Sequence, residues 1–225
     1  MIKMGRKDIA RQIDTDMIRE VGNILSNNSA NAFSKMMKEN INIQTEVELI
    51  STQNFNMEMV FTTDFSEIFK DLTNNYVEGY FLKTTEGVEG VSVLLFHREH
   101  INELIKQVSS GMGMSDGTEM NEEDKKGVLK EFTSICLNAY LTALSNLIEI
   151  RISTTTPIPA RDILGSLYDF REHLREANSK EALMIRTDIS AADTGITGKL
   201  VMLLEPRSLV KILQVLNKKA AGEYN

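Results

Sequence analysis

The 225-residue chain has one cysteine, Cys136, no tryptophan and three prolines. A lone thiol cannot close an internal disulfide, and no set of cysteines is spaced for structural zinc. No stretch approaches the ~18 uninterrupted apolar residues of a membrane-spanning helix. Positive charge is in deficit: 25 Lys and Arg face 32 Asp and Glu, a net charge of −7. Bulk nucleic-acid or anionic-membrane binding needs a cationic face, so neither is expected. Partners that are neutral or carry basic patches are favoured instead. The opening Met1-Ile-Lys-Met-Gly-Arg-Lys-Asp8 is basic but runs into Asp and Gln rather than an apolar signal region, so a cytoplasmic protein is expected. Apolar residues at 42% and charged residues at 25% are ordinary globular values, which excludes disordered and fibrous classes.

What is present is a repeat. Residues 20–46 laid over 131–157, an offset of 111, match Glu20 with Glu131, Ile24 with Ile135, Asn27 with Asn138, Ala32 with Ala143 and Ser34 with Ser145. A second block aligns at an offset of 108, placing Gly90-Val-Ser-Val-Leu-Leu-Phe96 over Gly198-Lys-Leu-Val-Met-Leu-Leu204. An amphipathic pattern follows each: Ile101, Leu104, Ile105 and Val108, then Leu209, Ile212, Leu213 and Leu216. Two copies of one unit within a single domain are therefore expected: repeat 1–110, a Gly- and Ser-rich linker 111–120, and repeat 121–225.

Periodicity in the first copy predicts a helix over about 15–39, strands over about 41–51 and 56–62, and a helix over about 64–74. Strands over about 77–84 and 89–97 and a helix over about 98–110 complete it. The second copy predicts a helix over about 121–149, introduced by the capping run Asn121-Glu-Glu-Asp124, and a strand over about 150–156. A helix over about 160–177, strands over about 181–189 and 197–205, and a helix over about 206–219 follow. Short hairpin-linked strands beside helices give an α+β fold, internally duplicated and pseudo-two-fold. Its largely antiparallel sheet is shared by the copies and flanked by two long helices and shorter ones.

On the first long helix Met17, Val21, Ile24, Leu25, Ala32 and Met36 form an apolar stripe assigned to the core. In the second helix the stripe holds Val128, Phe132, Ile135, Cys136, Ala139, Ala143 and Leu147. Beside them run polar stripes, Glu20, Asn23, Asn27, Asn31 and Ser34 in one and Glu131, Ser134, Asn138, Thr142 and Ser145 in the other. A solvated face is ordinarily rich in Lys and Glu pairs, and Asn is a poor helix former. Two explanations stand: a close packing contact made by small polar residues, or a functional face.

Asp16, three residues, Glu20, two residues, Asn23 resembles the signature helix of the CheC/CheX/FliY group of bacterial chemotaxis proteins, whose pattern ends about 22 residues later in Pro. The second copy, Glu131-Phe-Thr-Ser134, has 22 residues between Ser134 and Pro157. Duplication, length and the Gly-strand-helix ending of each half make the chain most similar to CheC. The resemblance implies a phosphatase acting on the aspartyl phosphate of the response regulator CheY. It implies that Glu20 docks the regulator through an active-site lysine and that Asn23 orients a water for in-line attack. No cofactor of its own is implied, the Mg²⁺ belonging to the regulator. The receptor deamidase CheD is a further partner implied by resemblance to CheC alone.

Departures from the pattern qualify the second site. Ser134 stands in place of the second asparagine, Gly127 in place of the residue matching Asp16, and Glu46 where the first copy would carry Pro. One competent site at Glu20 and Asn23 and a degenerate one at Glu131 and Ser134 are expected. The alternative is a non-catalytic chemotaxis or flagellar-switch adaptor binding CheY or CheD; a third reading is a scaffold unrelated to signalling. A duplicated monomer presents two pseudo-equivalent faces, so a homo-oligomer is not required.

Other constellations carry less. His97-Arg-Glu-His100 reads as helix-start histidines rather than metal ligands, and His173 sits in a charged, solvated helix. Cys136 falls on the apolar stripe and reads as a buried thiol, not a nucleophile. Gly111-Met-Gly-Met-Ser-Asp-Gly117 lacks the Lys-Ser/Thr and the preceding strand of a phosphate loop. The twelve methionines read as adaptable core filling.

Overall fold

The structure is a computed structural model that describes residues 15–51, 77–114, 120–159 and 181–220. The expected strand 56–62 and helices 64–74 and 160–177, with His173 and linker residues 115–119, lie outside the described residues.

Helix α1 spans Thr15–Met37 and leads into β1, Ile41–Ser51. Strands β2 (Val77–Glu86) and β3 (Gly90–His97) form a hairpin, and a 3₁₀ turn at Arg98–His100 opens α2, Ile101–Gly111. The long α3, Glu122–Ile148, begins where the capping run predicts. Asn121 Oδ1 accepts from the N–H groups of Glu123 and Asp124, both at 2.9 Å, and three acids in the first turn complement the helix dipole. Two short strands follow, β4 (Ser153–Thr154) and β5 (Ile158–Pro159), then β6 (Glu181–Ala191), β7 (Thr197–Leu204) and α4 (Pro206–Ala220).

The two long helices stop in the same way. Lys38 and Glu149 take left-handed conformations, φ 57° and 55°, at positions 111 residues apart. One turn back, Ser34 Oγ donates to Glu39 O at 2.6 Å and Ser145 Oγ to Ile150 O at 2.8 Å, the same bond made twice. Each bond ties the residue that follows the left-handed stop back onto the last turn of its helix.

The sheet is antiparallel throughout, in the order β1-β6-β7-β3-β2-β4, with β5 also on β2. That order is a palindrome about the β7–β3 pair. The strand after each long helix crosses to the other half's hairpin: β1 joins β6, and β4 and β5 join β2. Val93 lies opposite Val201, Gly90 opposite Leu204 and Phe96 opposite Gly198. Under the offset of 108, Val93 maps onto Val201 and the two flanking pairs exchange, so a two-fold axis through the Val93–Val201 pair relates the halves.

Helices α1 and α3 cover one face of this sheet. They run antiparallel, bringing Phe33 to Phe132 with an edge-to-face centroid distance of 4.9 Å. Phe96 of β3 completes the cluster at 6.0 and 5.9 Å. Tyr80, Leu82, Leu94, Leu200, Met202 and Leu204 point into the same core. The alternate residues Val91, Val93, Leu95, Val201 and Leu203 are also buried, so both faces of the central strands are covered, which is why these strands read as apolar runs.

Two expectations are corrected. The strand 150–156 is replaced by the paired dipeptides β4 and β5, with a register shift between Thr84 and Glu86 of the partner strand. Pro157 and Pro159, just beyond it, have no N–H to give a ladder, which limits the pairing β5 can make with β2. The core stripes are also rotated. Buried on α1 are Val21, Leu25, Ser29, Phe33 and Met37, while Ile24, Ala32 and Met36 are only half-buried. On α3, Ala139, Ala143 and Leu147 are half-buried and Ile135 is 37% exposed. Small residues, Gly22, Ser26 and Ser29, mark the closest contacts of α1, and a hydrophobic pattern does not see them.

Glycines bear opposite loads. Gly111, expected in the linker, ends α2, and a Cβ there would lie 1.6 Å from Met36 O at the end of α1. Gly127 lies inside α3, exposed, with nothing within 4 Å of its ideal Cβ. Gly127→Ala is therefore expected to stabilise the protein by about 0.5–1 kcal/mol. Gly111→Ala should lower stability by roughly 2 kcal/mol or more, since backbone must move. Urea unfolding of both variants checks the pair of signs.

Candidate functional site

Residues three apart on a helix share a face. Glu20 is exposed and Asn23 half-buried on α1, with Asn27 and Asn31 exposed on succeeding turns. The polar stripe of α1 is thus open to solvent rather than a packing seam, although Ser34, at its end, is engaged with Glu39 O. Among the described residues the side chains of Glu20 and Asn23 make no hydrogen bond or ion pair. Asp16 falls in the first turn of α1, its side chain outside the described part.

The corresponding face of α3 differs in chemistry. Glu131 is exposed and Ser134 half-buried, but Ser134 Oγ accepts from Asn138 Nδ2 at 3.2 Å. A serine hydroxyl is shorter than an asparagine amide and offers no N–H₂. Here its oxygen is already engaged one turn along the helix. Gly127, at the position matching Asp16, presents no side chain. Glu20 with Asn23 and Glu131 with Ser134 therefore occupy like places on two long helices, and only the first pair carries an amide.

Beneath Asn23 the helix is tied to the sheet. A Cβ on Gly22 would stand 3.1 Å from Val47 Cγ2, 3.3 Å from Thr45 Cγ2 and 3.4 Å from Ile185 Cγ2, so α1 lies close over β1 and β6. One turn on, buried Ser26 Oγ meets Thr187 Oγ1 at 2.6 Å, and Thr187 Oγ1 meets Thr45 Oγ1 at 3.3 Å. Ser29 Oγ donates to Cys136 O of α3 at 3.1 Å, joining the two helices. Residues 26, 187 and 45 were absent from the sequence-derived site because partners 161 and 142 positions apart leave no local pattern.

Neighbouring features fill in the surroundings. A groove of about 330 Å³ lies beside Arg19, between it and Thr45, Glu46 and Arg186, with Glu46 and Arg186 in an ion pair. A cavity of about 440 Å³, lined by His97, Asp188 and Lys199 among others, includes none of the expected site residues. His97 and His100 are half-buried, and His100 Nδ1 accepts from Thr197 N at 3.2 Å, which commits that ring to the start of β7. Cys136 is fully buried, as expected, and burial holds its thiol well above its ordinary pKa of 9.0. Burial likewise raises the Tyr140 phenol. That hydroxyl, with those of Thr133 and Ser92, has no hydrogen-bond partner among the described residues.

Both shifts bear on alkaline stability. A folded-state pKa above the unfolded value gives stability that is full below the unfolded pKa and lost as pH rises toward the folded one. Unfolding free energy should therefore begin to fall above about pH 9 for Cys136, and again as the Tyr140 phenol's ordinary value of 10.0 is passed. The loss approaches ~1.4 kcal/mol per pH unit per group. Urea titrations between pH 8 and 11 check this, with Cys136→Ala expected to remove the earlier part of the slope.

No protein-family model matches the sequence. Solved structures share the fold over nearly the whole chain. FliY of Thermotoga maritima is 17% identical, covers 97% of this chain and 100% of its own, and superposes with a TM-score of 0.57. A chain of the FliG–FliM complex of H. pylori is 12% identical, with coverages of 94% and 100% and a TM-score of 0.54. The chemotaxis protein CheX of Desulfovibrio desulfuricans is 14% identical, with coverages of 83% and 99% and a TM-score of 0.51. At these identities the likeness is one of fold, and it does not single out CheC among the group. The chain has the α+β fold, with its antiparallel sheet, found in FliY, the FliM middle domain and CheX, in keeping with the CheC/CheX/FliY resemblance of its helix motif.

Proposed function

We propose that this chain is a CheC-like phosphatase that hydrolyses the aspartyl phosphate of a CheY-type response regulator, Glu20 docking the regulator and Asn23 positioning the attacking water. The observation that carries the reading is the pair itself: a carboxylate and an amide, three residues apart on the solvent face of one helix, each without a partner in the described chain. The shared fold of FliY and CheX supports it.

The chemistry suits an amide. Its carbonyl accepts from and its N–H₂ donates to a water molecule, without a charge that would repel the phosphoryl oxygens. The water oxygen attacks phosphorus in line as the bond to the regulator's aspartate oxygen breaks, releasing inorganic phosphate and a carboxylate. An acyl phosphate is already labile, and a hundredfold gain needs only about 2.7 kcal/mol, which positioning can supply. Mg²⁺ belongs to the regulator in this scheme. The chain acts as one cytoplasmic domain of two repeats, 1–110 and 121–225. The site at Glu131 and Ser134 is weak because its serine cannot present an amide. CheD is a candidate second partner on the resemblance to CheC.

A second reading, a non-catalytic chemotaxis or flagellar-switch adaptor, draws on α3. There Glu131 and Ile135 are exposed while the hydroxyl of Ser134 is engaged by Asn138. A protein-binding role finds a precedent in the fold shared with FliM, whose H. pylori structure is of a complex with FliG.

Decay of phosphorylated CheY-type regulator, followed with and without the protein, separates these. Acceleration is expected to fall about a hundredfold in Asn23→Ala and to survive in Ser134→Ala. Unchanged decay with the unaltered protein, a cognate regulator and CheD all present would remove the enzyme and leave the adaptor.

A further inference from the structure

We propose that Ser26, Thr187 and Thr45 are positioning residues for Asn23, a hydroxyl chain, buried at Ser26 and Thr187 and half-buried at Thr45, that fixes the height and rotation of α1 over the sheet where the amide must meet the regulator. This rests on the phosphatase reading and deepens it. Ser26 and Thr187 are each 1% exposed, and their oxygens stand 2.6 Å apart, a short and directional hydroxyl pair. Thr187 reaches Thr45 across the β1–β6 ladder, where the two residues are directly opposed. Gly22, one residue before Asn23, and Ser26, three after it, lie on the same face of α1 and bracket the amide. One makes the close steric approach to β1 and β6, and the other makes the hydrogen bond.

The second half shows what the same place looks like without this chain. The offset of 111 places Ser26 over Leu137. Thr187 lies opposite Leu200 in its ladder, and Leu82 opposite Ser92; Ser92 and Leu200 correspond at the offset of 108, so Thr187 and Leu82 are equivalent. Leu137 and Leu82 are both completely buried. Two leucines thus occupy the place of the hydroxyl pair in the half where serine replaces the catalytic asparagine. Gly22 corresponds to Thr133, whose buried hydroxyl has no partner among the described residues.

An apolar pair packs in this location, so the hydroxyl pair is not needed to fill it. Buried hydroxyls without their bond are costly, and a bond between them has one preferred geometry, whereas leucine contacts tolerate sliding and rotation. The half that must place an amide against a partner's phosphoryl group has the directional contact. The half with the hydroxyl in its place has the tolerant one.

The test is steady-state dephosphorylation of a CheY-type regulator by the full chain carrying Ser26→Ala, Thr187→Val or Thr187→Ser, with affinity for the beryllofluoride-activated regulator measured alongside. Ser26→Ala and Thr187→Val are expected to lower kcat about tenfold or more, with KM and that affinity within twofold, because Glu20 and the exposed face are unaltered. Thr187→Ser keeps the hydroxyl and should keep kcat. Full kcat in Ser26→Ala and Thr187→Val would overturn the proposal while leaving the phosphatase standing. So would a loss in Thr187→Ser equal to that in Thr187→Val, which would trace the effect to packing. No hydrolysis by the unaltered protein would overturn both.

Discussion

Val93 faces Val201 in the ladder that joins β3 to β7, and the remaining elements are arranged about that pair. Both faces of these central strands are largely buried, and a slip by one residue would exchange their two sets of side chains between the faces. From that ladder follow the flanking hairpins and the exchange of β1 and β4 between halves. The crossing of α1 and α3 above them buries Phe33, Phe96 and Phe132 in one cluster. Pseudo-symmetry then places Glu20 with Asn23 and Glu131 with Ser134 on two outward faces. The candidate site is thus placed by the sheet, through the helices.

Much of this is legible in sequence because it is written locally. Asn121 with the acids behind it starts α3, alternating or continuous apolar runs mark β1, β3, β6 and β7, and the repeat announces itself at two offsets. The outward placement of Glu20 follows from helical spacing alone. What failed is equally physical. Ile135 reads as core because it is apolar, yet the face that meets the sheet and α1 is set by Phe132, Thr133, Cys136, Leu137 and Tyr140, which turns Ile135 outward. On α1 the closest approach is made by Gly22, Ser26 and Ser29, residues with almost no hydrophobic signal. The strand expected at 150–156 is reduced to Ser153–Thr154, where the partner β2 shifts register between Thr84 and Glu86, a feature visible only once the partner strand is known.

Difference between the halves is more informative than their likeness. Both long helices end in the same left-handed stop with the same serine bond, so the scaffold has been kept in duplicate. The helix faces and the contacts beneath them have not. An amide above a hydroxyl pair in one half is replaced, in the other, by a hydroxyl above two leucines. A chain whose two faces did the same work would have no reason to differ at both levels together.

The most direct test is the structure of this chain bound to a beryllofluoride-activated CheY-type regulator. The account predicts the regulator seated on α1, its active-site lysine at Glu20 and the Asn23 amide within hydrogen-bond distance of a water in line with the phosphoryl mimic. A regulator seated on α3, or bound to α1 with Asn23 turned away from the mimic, would contradict it.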